Sequence, residues 1–114
     1  MNALPPTRAD EETCLRILRA IDIIGARWTG PILLATARGA RRFKDYRAMI
    51  QGISDPQLTV RLKQLQARNL INRTVIPSTP VQIIYTLTPE AEELIAALQP
   101  LSDWSRHNAP PSNV

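Results

Sequence analysis

Apolar residues recur along this chain as short helical stripes, broken once by two β-branched runs. Leu15, Leu18, Ile21 and Ile24 return at three- and four-residue spacing and stop at Gly25, which predicts a first helix capped by Thr13 or Asp10. Trp28 opens a second segment over 29–37 that is apolar nearly all round and is expected to be buried. Pro31 falls in its first turn, where a missing N–H does no harm, and Arg38-Gly39 supplies the stop. Phe43, Tyr46, Met49 and Ile50 mark a third short helix, closed by Gly52. Ser54 or Asp55 then caps a fourth, with Pro56 in its first turn and Leu58, Leu62 and Leu65 as its inward stripe.

Helices three and four, joined by 51–54, make a helix-turn-helix. The runs 71–76 and 81–87, separated by Pro77-Ser78-Thr79-Pro80, predict a hairpin with a stiffened loop. Thr88-Pro89-Glu90 starts a final helix with acids near the positive end of its dipole. Leu94, Ile95, Leu98, Leu101 and Trp104 give that helix more apolar surface than a lone edge helix needs. Leu94, Leu98, Leu101 and Trp104, with Leu15 and Leu18, are therefore expected to meet a second copy of the chain. The expected fold class is α+β, mainly α: a winged helix-turn-helix with a C-terminal dimerisation helix. Residues 1–10 and 107–114 carry paired prolines without apolar periodicity and are expected to be a flexible arm and tail, leaving one domain at 11–106.

Composition narrows the chemistry. At 114 residues the chain suits a single domain. No basic segment leads into an apolar run, which points to a cytoplasmic protein without membrane contact. One cysteine, Cys14, and one histidine, His107, leave no disulfide framework, no multi-cysteine metal site and no positioned acid-base pair. No enzyme activity, cofactor or metal is expected; a nucleophilic Cys14 would lack a base, because His107 lies in the polar tail. Charge is more informative. Between Arg38 and Arg73 nine Lys/Arg face only Asp45 and Asp55, a local excess of seven positive charges in a chain whose net charge is +4, so the remainder is net acidic. That segregation asks for an anionic partner, and double-stranded DNA suits it.

The pieces also match a family. Cys14, the segment Ile24-Gly25-Ala26-Arg27-Trp28-Thr29, Arg42-Phe43, Gly52-Ile53-Ser54, the run from Leu58 to Leu65, Leu70-Ile71-Asn72-Arg73 and Tyr85-Thr86-Leu87-Thr88 stand in family-like order and spacing. From Cys14 to Trp104 the chain resembles the HxlR-type regulators, relatives of the MarR group, and the resemblance implies a dimeric DNA-binding repressor or activator. Independently of it, an inward Leu58-Leu62-Leu65 stripe turns Pro56, Val60, Lys63, Gln64 and Ala67 to the opposite face, with Gln57 and Thr59 flanking. Pro56, Gln57, Val60, Lys63 and Gln64 are the candidate base readers. The glutamines suit adenine edges, Val60 a thymine methyl and Lys63 a guanine or phosphate. Arg42, Lys44, Ser54, Thr59, Arg61 and Arg73 are candidate phosphate contacts, which position without reading sequence. Ser78, Thr79 and Gln82 would form the wing. The resemblance leads one to expect a basic residue near the start of the recognition helix and an arginine in the wing, where this chain has Pro56 and Gln82.

Cys14 is the candidate redox sensor. The resemblance implies a cysteine there that in some members senses oxidants or electrophiles, and a thiol at a helix N-terminus near Arg16 and Arg19 would favour its thiolate. Glu11 and Glu12 oppose that, and with no second cysteine only an intersubunit bridge, a mixed disulfide or alkylation is open to it. A plain packed thiol is the competing reading. Trp28 and Trp104 read as core or interface residues, and a pocket between the first and last helices of two subunits is the candidate small-effector site. The other functional class is a winged-helix module whose basic face docks an acidic protein.

Overall fold

A computed structural model describes residues 8–108. Helices α1 (Arg8–Gly25), α2 (Thr29–Ala37), α3 (Phe43–Met49) and α4 (Asp55–Ala67) are followed by strands β1 (Ile71–Ile76) and β2 (Gln82–Leu87), then by α5 (Pro89–Ala97) and α6 (Gln99–Asn108). The strands pair antiparallel from Ile71 opposite Leu87 to Ile76 opposite Gln82, so 77–81 form the hairpin tip. The result is the winged helix-turn-helix expected from the apolar pattern.

The core forms around α2. Ile32, Leu33 and Ala35 are buried with Ala40, Tyr46, Ile50, Leu58, Leu62, Leu65, Leu70, Ile71 and Ala91. Tyr46 carries a polar group into it safely. The single Thr36 hydroxyl hydrogen goes to the Ile32 carbonyl at 2.8 Å, so the Tyr46 hydroxyl donates to Thr36 Oγ1 at 2.7 Å. Burial raises the Tyr46 pKa above its ordinary value, keeping the phenol a neutral donor. Its ring meets Tyr85 edge-on, with centroids 6.0 Å apart. Beside it, the Tyr85 N–H donates to the Arg41 carbonyl at 2.7 Å and stitches β2 to the α2–α3 loop.

Thr88 joins three elements. Its hydroxyl accepts from the Ala91 N–H at 3.0 Å as the N-cap of α5 and donates to the Asn69 carbonyl at 2.8 Å. Its own N–H reaches the Leu70 carbonyl at 3.2 Å. The end of α4, the hairpin and α5 thus share one buried junction. Asn69 turns the chain there at φ 61°, a left-handed conformation that asparagine tolerates.

Three expectations need correction. First, α1 begins at Arg8, ahead of both cap candidates, and α6 continues through His107 and Asn108. The proposed arm and tail are shorter by those residues, and the rest of each lies outside the described residues. Second, the final helix is two helices that meet at Leu98. Pro100 explains the break, since it lacks an N–H and its ring would collide with the Ala96 carbonyl of a continuous helix. Third, α2 is not buried all round, for Leu34 and Pro31 are exposed. Every described residue of α6 is exposed, and α6 packs chiefly on α5, as α1 does on α2. These two helices help to stretch the molecule to 59 × 34 × 22 Å, with a radius of gyration of 16.9 Å, against about 13 Å for a compact chain of this length.

Replacing Thr88 by Val removes the cap and leaves the Asn69 carbonyl and Ala91 N–H without partners. Urea unfolding of Thr88→Val is expected to show a loss of about 1–3 kcal/mol; an unchanged midpoint would show that the junction does not hold the three elements together.

Candidate nucleic-acid interface

Helix α4 is held at its start by a reciprocal cap. Ser54 Oγ accepts from the Gln57 N–H at 3.2 Å, while Gln57 Oε1 accepts from the Ser54 N–H at 3.0 Å. Across the turn, Arg47 Nε lies 2.9 Å from Asp55 Oδ1 and ties α3 to the first turn of α4. Leu58, Leu62 and Leu65 anchor the inner face. Pro56, Thr59, Val60, Lys63, Gln64 and Ala67 are all exposed, with Val60 at 49%. The rotation inferred from the leucine stripe is the one observed.

Around this face the cations are arranged unevenly. Arg61 Nη1 donates to Gln64 Oε1 at 2.7 Å, so these two present themselves as a pair. Arg42, the N-cap residue of α3, donates from Nη2 to Gln82 Oε1 at 2.8 Å, joining the helix-turn-helix to the first residue of β2. Lys44 is exposed on α3 and Arg73 on β1. Lys63, Thr59 and Arg73 line one groove of about 610 Å³ between α4 and the hairpin, with Phe43, Leu62 and Tyr85 among its other walls. Neither the Lys63 nor the Arg73 side chain has an ion-pair or hydrogen-bond partner among the described residues.

Several expected roles change. Gln57 has committed one lone pair of its side-chain carbonyl to the cap, which fixes its rotamer and leaves its Nε2 as the group without a partner. The same cap takes one Ser54 lone pair and leaves its hydroxyl hydrogen to donate to phosphate. Gln82 sits at the hairpin's shoulder, engaged with Arg42, rather than at its tip. Ser78 turns inward, its hydroxyl donating to the Pro80 carbonyl at 2.7 Å, while Thr79 is exposed. The large exposed side chains there are apolar, Val75, Ile76 and Val81, and no charge lies between Thr74 and Pro89. Arg41 also leaves the pool of free cations, because its Nη1 donates to the Thr36 and Ala40 carbonyls.

The apolar residues assigned to a partner divide into two groups. Leu15, Leu18, Leu101 and Trp104 are 53–57% exposed. Leu94 instead packs against the core, and half-buried Leu98 forms the α5–α6 junction. Cys14 is exposed. In α1 (Arg8–Gly25) it lies in the second turn rather than at the helix N-terminus. Arg16, expected to aid it, donates to Thr13 and pairs loosely with Glu12. Trp28 caps α2 at φ 69°, with the Arg27 guanidinium 5.3 Å from its ring, and packs against the core.

A capped helix presented between a second helix and a hairpin defines a winged helix-turn-helix protein. The model of the HxlR-like helix-turn-helix family matches residues 23–113, and the chain belongs to that family of transcriptional regulators. It is 36% identical over 101 residues to the uncharacterised HTH-type transcriptional regulator YvaP of Bacillus subtilis, an alignment covering 89% of this chain and 94% of that one. It is 35% identical to the HTH-type transcriptional regulator YodB of the same organism, over 89% and 90% of the two chains. The reduced form of YodB superposes with a TM-score of 0.77 at 32% identity over 97% and 100% of the chains. The oxidised form of the redox regulator HypR gives 0.72 at 25% identity over 84% and 99%. No helix among the described residues is long and apolar enough to cross a membrane.

Asp45 supplies a pH test of the interface's support. Its Oδ2 accepts from the Arg41 and Arg42 N–H groups, each at 3.0 Å, and these bonds hold its pKa below the ordinary 3.8. Such a carboxylate contributes stability that is complete above its unfolded pKa and is lost as pH falls through the lower folded value. Asp45→Asn is therefore expected to be less stable than the parent at neutral pH, with the difference closing at acid pH. Parallel acid-unfolding curves would contradict that.

Proposed function

We propose that this regulator binds duplex DNA as a homodimer, laying α4 of each subunit in the major groove of a pseudo-palindromic operator. The observation that carries this reading is the outer face of α4. It is capped at its start and exposed, with Arg61 on the same helix, Arg73 across the groove, and Arg42 and Lys44 at the start of α3. Pro56, Val60, Lys63, Gln64 and the free Nε2 of Gln57 meet base edges, and the surrounding cations with Ser54 and Thr59 hold phosphates. The wing contributes through Thr79 and the Arg42–Gln82 pair. Counterion release makes binding to random duplex strongest at low salt, and log K falls linearly with log salt. Lys63→Ala weakens operator binding by about 1–3 kcal/mol if Lys63 contacts a base. No detectable duplex binding at low salt would remove the DNA reading, and a footprint over a single asymmetric site would remove the paired arrangement.

The second subunit covers Leu15, Leu18, Leu101 and Trp104. Exposed apolar side chains on two projecting helices support this, because a lone chain would leave them in water. Light scattering is expected to give twice the 12.8 kDa chain mass for the parent and the single mass for Leu18→Glu. A monomeric parent would dispose of the homodimer.

Cys14 lies three, four and seven residues before Ile17, Leu18 and Ile21, on the same exposed stripe. Oxidation to a bridge or mixed disulfide there acts on the subunit contact, and the likeness to a redox regulator supports a sensing role. A Cys14→Ser variant whose operator binding responds to oxidant as the parent's does would assign the thiol to packing alone.

A further inference from the structure

Trp28 combines three features that a tryptophan serving only to fill the core does not need. Its backbone stands at φ 69°, a left-handed conformation that glycine adopts freely and that strains a bulky residue. Its indole Nε1 is shut away from solvent with no hydrogen-bond partner among the described residues, a second cost at the same position. Its far ring edge, Cη2, lies 3.9 Å from where a Cβ on Gly52 would stand. Gly52, itself at φ 84°, belongs to the turn that joins α3 to α4. Such local costs persist only where the surroundings over-determine the residue that bears them.

Those surroundings are two joints of the fold. Helix α1 ends at Gly25 and α2 begins at Thr29, so the Trp28 backbone forms part of the joint between them, and its carbonyl accepts from the Ile32 N–H at 3.0 Å to start α2. The ring crosses from there to the end of α3, and the hollow beside it is lined by Pro31 and Leu34 of α2 and by Met49, Ile50 and Gln51. Two residues beyond Gly52 lies Ser54, whose reciprocal cap with Gln57 begins α4.

We propose that Trp28 is a positioning residue for DNA reading: its ring carries the direction of the α1–α2 joint to the Gly52 turn and so fixes where α4 begins. The consequence for DNA rests on α4 being the helix that meets bases; the hold on the turn does not. Leu58, Leu62 and Leu65 keep α4 in the core, so losing the ring edge costs registration rather than fold. Phosphate contacts made by long, flexible cations tolerate a small displacement, whereas paired hydrogen bonds to base edges do not. Trp28 therefore acts on specificity more than on binding as such.

The test uses the full-length chain and a duplex that the parent selects from a random library, with random duplex as the reference. In Trp28→Phe the shorter ring falls short of Gly52. The ratio of selected to random affinity is expected to fall about tenfold, with random-duplex affinity and its salt dependence unchanged. Replacing the Trp28 side chain by that of 2-naphthylalanine, which restores the second ring without the N–H, is expected to restore the ratio. Hydrogen exchange reads the turn without DNA. The Gln57 and Leu58 amides, both bonded to Ser54, are expected to exchange about tenfold faster in Trp28→Phe, while the Glu92 amide of α5 keeps its parental rate. A ratio that stays parental, or that falls only in step with random-duplex affinity, would overturn the specificity role, as would a naphthylalanine chain that behaves like Trp28→Phe. Parental exchange at Gln57 and Leu58 would overturn the hold on the turn, and a Trp28→Phe chain that circular dichroism shows unfolded would assign the ring to the core alone. A parent that binds no duplex would remove the DNA reading, and the exchange rates would still decide whether Trp28 holds the turn.

Discussion

The Thr88 hydroxyl stands where the end of α4, the hairpin and the start of α5 converge, and its two hydrogen bonds set their relative directions. One bond caps a helix and the other closes the turn at Asn69, so neither element can rotate without leaving a buried polar group unpaired. The cost of such a group is what turns three separately formed elements into one frame. Tyr46 does the equivalent work between α2 and α3, where its bond to Thr36 fixes how deeply α3 sits. The apolar core around them is non-directional and would by itself permit several helix orientations.

On this frame, the outward side chains are already partly engaged with one another. Gln57 serves the cap, Gln64 receives Arg61, and Gln82 receives Arg42. A partner that recruits them exchanges one hydrogen bond for another and gains little from the exchange itself. It gains from side chains whose rotamers are restricted before contact, which lowers the ordering cost of association. Lys63 and Arg73 differ, being uncompensated, and for them a new anionic partner is a net addition.

Much of this was legible in the sequence because periodicity is a local signal. The Leu58-Leu62-Leu65 stripe determines the rotation of α4 and hence its outer face, and Thr88-Pro89 marks a helix start whose cap is the one observed. The start of α1 was missed because its first turn, around Arg8, has no large apolar residue to announce it. The break between α5 and α6 was signalled by Pro100 but overridden by an apolar repeat that runs through it. Least legible were contacts between distant positions. Arg42 and Gln82 are forty residues apart, and nothing local at either indicates the other. The groove walls were equally hidden, for Phe43, Lys63, Arg73 and Tyr85 come from four different elements.

The unequal distribution of charge has a dynamic consequence. Nine of the fourteen Lys and Arg lie between Arg38 and Arg73, on α3, α4, β1 and the turns that flank them, while α1 and α5 carry seven of the ten acids. A body charged in this way has an electric dipole moment, and the field of a polyanion exerts a torque on it at distances of about a Debye length, before any surfaces touch. The molecule is turned during its approach, so a larger share of collisions begins in a usable orientation. Charges that add little to the strength of the final contact can thus govern how often that contact is reached, and added salt would slow the encounter as well as weaken the complex.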